Sequence, residues 1–102
     1  MRNGVRKMPS STNISDLREL MGNFTLVAKV TQKSKTVVRN GKNCAKAIIE
    51  DGSGKITLNL YGNQVDQVGE GQIVKITGVF TEVREGFLEI SSWKDIELAK
   101  EA

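Results

Sequence analysis

Residues 44–62, CAKAIIEDGSGKITLNLYG, alternate at period two on both sides of a turn, and this pattern constrains the fold more than any other stretch of the chain. Ala45, Ala47 and Ile49 recur on one side of Asp51-Gly52-Ser53-Gly54, and Ile56, Leu58 and Leu60 on the other. Successive strand residues point to opposite faces, so each segment offers one apolar face to a core. The turn holds residues that tolerate positive φ, as a tight hairpin requires. The opposite face of the second segment carries Lys55, Thr57, Asn59 and Tyr61. A cation, two hydrogen-bonding groups and a ring on a solvent face suit a flat, charged ligand better than a purely structural sheet.

The rest of the chain supplies matching strands. Phe24 to Thr31 alternates, with Phe24, Leu26, Ala28 and Val30 inward, and is expected to run on through Gln32 to Val38 before an Asn40-Gly41 turn. Gln72 to Phe80 is a fourth strand with Val74 and Ile76 inward, bent or bulged at Gly78. Beyond Gly78 the facing of Val79 and Phe80 is open. Glu85-Gly86 turns into a fifth strand, Phe87 to Ser91, with Leu88 and Ile90 inward and Phe87 outward. Asn13 is a candidate N-cap for a short helix whose stripe is Ile14, Leu17 and Met21, ended by Gly22. Asn63 to Val68 reads as one helical turn between the third and fourth strands, with Val65 and Val68 inward. The fold class expected is therefore all-β: a five-stranded OB-fold Greek-key barrel with a short N-terminal helix and a short helical turn between strands three and four. Residues 1–12 read as a basic flexible tail, 13–98 as the barrel and 99–102 as a C-terminal tail.

At 102 residues the chain suffices for one small core. Cys44 is the only cysteine and histidine is absent, which excludes an internal disulfide, a Cys/His zinc cluster and a histidine general base. There is no GxxxxGK[ST] loop, and Asp51, Glu82, Glu85 and Glu89 have no metal-ligand spacing. They read as solubilising charges, and Cys44 as a half-buried structural thiol. No enzyme activity, metal or cofactor is expected. No apolar stretch approaches the roughly 20 residues of a membrane span, and the basic N-terminus lacks the hydrophobic run of a secretory signal, so an intracellular location is expected.

Charge is divided unevenly. Residues 1–50 hold ten Lys/Arg and three acids, while the remainder holds five and nine. Basic residues concentrated in one half point to an anionic polymer, with a merely solvated surface as the alternative. In an OB barrel the ligand surface centres on strands two and three and the flanking loops, here roughly residues 33–42 and 82–86. Lys29, Lys33, Lys35, Arg39, Lys42, Lys46 and Arg84 are the candidate phosphate contacts, and Thr57 and Asn59 the candidate hydrogen-bonding groups for bases or sugars. Of the five aromatics, Tyr61, Phe80 and Phe87 are candidate stacking platforms, because every base has a π-face. Phe24 is assigned to the core and Trp93, beyond the fifth strand, to packing.

The chain resembles the short single-stranded-DNA-binding proteins of archaeal type, relatives of the replication protein A OB domains and of the small human sensor proteins. The resemblance runs through Ile14…Asp16-Leu17…Met21, Ala47 to Gly54, Lys55-Ile56-Thr57-Leu58-Asn59-Leu60-Tyr61-Gly62, Gly71 to Ile76 and Gly86-Phe87-Leu88-Glu89-Ile90. It implies sequence-tolerant binding of single-stranded DNA, with RNA as an alternative strand, in replication, recombination or repair alongside proteins of those processes. In that family the third strand usually ends in Trp, where this chain has Tyr61. A second stacking aromatic falls at Phe80 and a third at Arg84, whose guanidinium also stacks on bases. The long tail common in the family has no counterpart here, so tail-mediated recruitment is not expected. The alternatives are a protein-interaction OB subunit of a replication-protein-A-like complex and an RNA-binding protein of translation. Oligomeric state is left open.

Overall fold

The computed structural model describes residues 12–99; of the two expected tails, all but Thr12 and Ala99 lies outside the described residues. Seven strands follow one another: β1 (Gly22–Lys33), β2 (Val37–Arg39), β3 (Lys42–Glu50), β4 (Lys55–Tyr61), β5 (Ile73–Arg84), β6 (Phe87–Ser92) and β7 (Glu97–Leu98). A four-residue helix, α1 (Gln64–Gln67), lies between β4 and β5. Five strands close into a ring. β1 pairs with β3, β3 with β4, β4 in parallel with β6, β6 with β5, and β5 back with β1. This is an all-β, five-stranded closed barrel, an OB-fold. β2 and β7 are short additions, on β3 and on the first part of β5.

Alternation places the core as the sequence pattern requires. Leu26 and Val30 of β1, Ile49 of β3, Leu58 and Leu60 of β4, Val74, Ile76 and Val79 of β5 and Ile90 of β6 are all fully buried, with Val65 and Val68 covering one end. Burying each large aliphatic side chain is worth about 1.5–3 kcal/mol. Phe24 is half-buried against this cluster.

Local backbone features set the facing where alternation alone does not. Phe24 registers with Val79, but Leu26 registers with Ile76, so β5 spends one extra residue there. Gly78 sits in that bulge at φ +63, a left-handed conformation that glycine adopts without steric penalty. The bulge turns Val79 inward and Phe80 onto the outer face, which the sequence pattern left undecided. The Asn40-Gly41 turn has positive φ at both residues (51 and 79) and joins Arg39 to Lys42 in register, a type I′ hairpin. Consequently the first strand does not continue to Val38: it ends at Lys33, and Val37–Arg39 form a separate strand.

The expected N-terminal helix is not formed. Only Ile14–Asp16 make a 3₁₀ turn, and Leu17 is already extended at φ −75, ψ 145. The reason is non-local. The Ile14 N–H donates to Asp51 Oδ2 at 2.9 Å and the Ser15 N–H to Ser53 Oγ at 3.1 Å, which caps donors that any helix start leaves unpaired, but the donors a continuing helix would direct along its own axis come later and go elsewhere. The Met21 N–H donates to the Thr81 hydroxyl at 3.0 Å, and Gly22 opens β1 instead of closing a helix. No helix among the described residues is long and apolar enough to cross a membrane.

Candidate nucleic-acid interface

The outer surfaces of β3, β4, β6 and β5 form one continuous face. Register aligns Cys44 with Tyr61 and Lys46 with Asn59 across β3–β4, and Thr57 with Glu89 across β4–β6. Across β5–β6 it aligns Phe80 with Ser91, Glu82 with Glu89 and Arg84 with Phe87. The β2–β3 hairpin stands beside this face, with Val37 opposite Cys44 and Arg39 opposite Lys42. Between hairpin and face lies a groove of about 450 Å³, whose lining includes Lys35, Arg39, Lys46, Asn59, Tyr61, Arg84 and Phe87. Seven of the twelve residues expected at the interface thus meet in one groove.

Its floor is a charge-balanced network. Glu89 Oε1 accepts from Asn59 Nδ2 at 2.9 Å and from Lys46 Nζ at 3.3 Å, with Arg84 Nε at 3.9 Å. Glu82 accepts from Arg84 Nη2 at 3.2 Å, from Asn59 Nδ2 at 3.4 Å and from the Ser91 hydroxyl in a short hydrogen bond. Arg84 Nη2 also donates to the Tyr61 hydroxyl at 2.9 Å. Tyr61, then Glu82 and, more weakly, Glu89 hold the guanidinium more firmly protonated than an isolated arginine, outweighing the opposing effect of desolvation. Two carboxylates at low exposure need such partners, because an unpaired buried charge is costly.

This network corrects two expectations. Asn59 is on the outer face, as its phase requires, but it is only 3% exposed and its amide is committed to Glu82 and Glu89. It is not free to meet a base edge without exchanging those partners. Glu82 and Glu89 are not merely solubilising; they order Lys46 and Arg84. Their contribution is invisible from spacing, since Glu89 meets Asn59 through a parallel pairing of strands far apart in the chain.

The remaining expected residues are dispersed. Lys42 lies beside Tyr61, Gly62 and Asp66 in an adjoining depression. Thr57 is half-buried further along β4. Lys29, on β1, registers with Glu50 and Ile73, away from the groove. Lys33 turns to the other side, where its ammonium donates to the Val65 carbonyl and its N–H to Glu70 at 2.9 Å. Phe80 occupies the far end of the face and stacks on Trp93, with centroids 4.6 Å apart and planes 25° apart. Trp93 is 81% exposed, which contradicts its assignment to packing. Counting by twos from Phe87 through Glu89 and Ser91 reaches Trp93, a signal available in the sequence. Phe87 is 71% exposed and faces outward as expected.

A barrel of this connectivity with one polar, aromatic-edged face defines a class of small binding domains. A family model for the OB-fold nucleic acid binding domain (tRNA_anti-codon) matches residues 24–98, and the chain belongs to that family. The family is one of binding domains and not of enzymes. The chain is 24% identical over 91 residues to the single-stranded DNA binding protein Ssb of Saccharolobus solfataricus, covering 85% of this chain and 62% of that protein. Its backbone is similar to that of a domain of replication protein A from Methanococcus maripaludis (TM-score 0.73, 23% identity, 86% of this chain and 93% of that one). It is also similar to a replication factor A related protein from Methanobacterium thermoautotrophicum (TM-score 0.69, 20% identity, 87% and 90%).

Proposed function

We propose that this domain binds single-stranded DNA, with RNA as an alternative strand, with little regard to sequence, and serves replication, recombination or repair within the cell. The observation that carries this reading is the groove itself, where Tyr61 and Phe87 border a face flanked by Lys35, Arg39, Lys42 and Lys46. Stacking on a ring is worth about 1–3 kcal/mol per base and tolerates any base, while the cations take the phosphates. The Ssb resemblance supports DNA as the strand.

The test is an anisotropy titration of oligo-dT, oligo-rU and duplex at two salt concentrations, with Tyr61 variants. Tyr61→Ala should lose about 5- to 150-fold in affinity for oligo-dT with a near-normal melting temperature. Tyr61→Trp should bind at least as well as the parent, since a larger ring offers more stacking area. If Tyr61→Ala binds as the parent does but melts several degrees earlier, the ring is structural and the reading as a protein-interaction subunit takes its place.

A further inference from the structure

The face just described has aromatic rings at both ends, and only one end belongs to the groove. Trp93 is a large apolar ring left mostly in water, although Ser91 and Ser92 immediately before it are buried. A tryptophan that serves packing buries most of its area. This one contacts Phe80 through one face of the indole and leaves the other open. Phe80 is four residues from Arg84 along β5, on the same face, so at about 3.3 Å per residue the stacked pair lies roughly 13 Å from the Tyr61–Arg84 end. Between them run the buried Glu89, Asn59 and Ser91 and the half-buried Glu82, which are polar and already hydrogen-bonded to one another. The stem of a cationic side chain is close to the far pair as well: Lys94 Cγ and Cδ lie 3.4 Å from where a β-carbon on Gly78 would be, two residues from Phe80.

We propose that Trp93, supported from behind by Phe80, is a second base-stacking platform, with Lys94 meeting the adjoining phosphate, so that one strand crosses the face from Tyr61 to Trp93. This rests on the reading of the domain as a single-strand binder and adds its extent and direction. Phe80 acts as the backing of the indole, and Trp93 is the ring that touches the ligand. The path crosses the satisfied middle without displacing it and anchors the strand at both ends. A site of this length is within the roughly 4–16 nucleotides an OB domain covers.

Trp93 is the only tryptophan, so the protein reports on its own site. Titrating the parent with unlabelled oligo-dT should quench the indole emission and protect it from acrylamide, saturating together with the anisotropy of a labelled oligonucleotide. Trp93→Ala should weaken oligo-dT binding by about 5- to 150-fold. Trp93→Phe should recover much of that loss, and both variants should melt near the parent temperature because the ring is exposed. Binding by the parent with unchanged emission and unchanged acrylamide access, together with parent-like affinity in Trp93→Ala, overturns the platform and leaves the groove reading intact. Absence of oligo-dT binding by the parent at low salt removes both. The emission and acrylamide measurements need no variant, so they decide the matter even if Trp93→Ala folds poorly.

Discussion

The structure sorts the basic residues into those available to a phosphate and those already engaged, and the salt dependence of binding measures that division. Lys35, Arg39 and Lys42 have no ion pair among the described residues, and they line or adjoin the groove. Each phosphate neutralised on a single strand contributes a log–log slope of about −0.7, so replacing these three together by Ala should flatten the slope by about 2 units. Raising salt from about 50 to about 500 mM should then cost the parent roughly 100-fold more affinity than the triple variant. Lys29→Ala with Lys33→Ala should leave the slope nearly unchanged, because one lies on β1 away from the groove and the other donates to the Val65 carbonyl. Lys46 and Arg84 start from pairs with Glu89 and Glu82, so Glu89→Gln should release positive charge into the groove and steepen the slope. Anisotropy of a labelled oligo-dT at five or so salt concentrations gives each slope directly. An unchanged slope in the triple variant, or an equal loss in the Lys29/Lys33 pair, would show that the strand does not follow the β2–β3 hairpin.

Three further outcomes follow from the packing. Leu58→Ala should cost about 2–5 kcal/mol in urea melts, because Leu58 is fully buried, whereas Thr57→Ala should cost under about 1 kcal/mol; the reverse order would mean the facing of β4 is wrong. Asn59→Ala should destabilise by about 1–3 kcal/mol by removing a donor shared by two partly buried carboxylates, and a neutral result would mean water or the neighbouring cations replace the amide fully. Partial burial alone would raise the Asp51 pKa, but hydrogen bonds from the Ser53 hydroxyl and the N–H groups of Ile14, Ser53 and Gly54 outweigh it and hold the carboxyl below its ordinary value. Its contribution is therefore complete above about pH 4 and is lost as pH falls through the lower folded-state value, so stability of Asp51→Asn should fall less steeply on acidification than that of the parent, and parallel acid limbs would refute this.

What the amino-acid order revealed was decided by how local the determining contacts are. The phases of Leu58, Leu60 and Tyr61 were legible because alternation is a property of neighbours two apart. The Asn40-Gly41 turn was legible because positive φ is a property of the residues themselves. A longer N-terminal helix does not form because Thr81, 60 residues on, takes the Met21 N–H. Asn59 was read as free because its phase says which face it occupies but not that Glu89, from a non-adjacent strand, covers it. Lys29 and Lys33 were grouped with Lys35 and Arg39 by proximity in sequence, yet the end of β1 sends Lys33 toward α1. Trp93 is assigned to packing from its place beyond the fifth strand, yet the period of two through Phe87, Glu89 and Ser91 continues to it, and it is exposed.

Ring closure through β1 has a consequence for dynamics. The first part of β1 pairs with β5 and its last residues with β3, so this strand completes the ring from the side that carries no groove residue. The groove is assembled from β3, β4, β5, β6 and the β2 hairpin, and it holds its shape only while that remote strand stays in place. A bound strand that requires the intact barrel therefore stabilises β1 as much as the surface it touches, by about 2.7 kcal/mol at a free concentration one hundred times Kd. Amide exchange that needs global opening should slow by a similar factor, about 100-fold, at Leu26, Ala28 and Val30, on the side of the barrel the ligand never reaches.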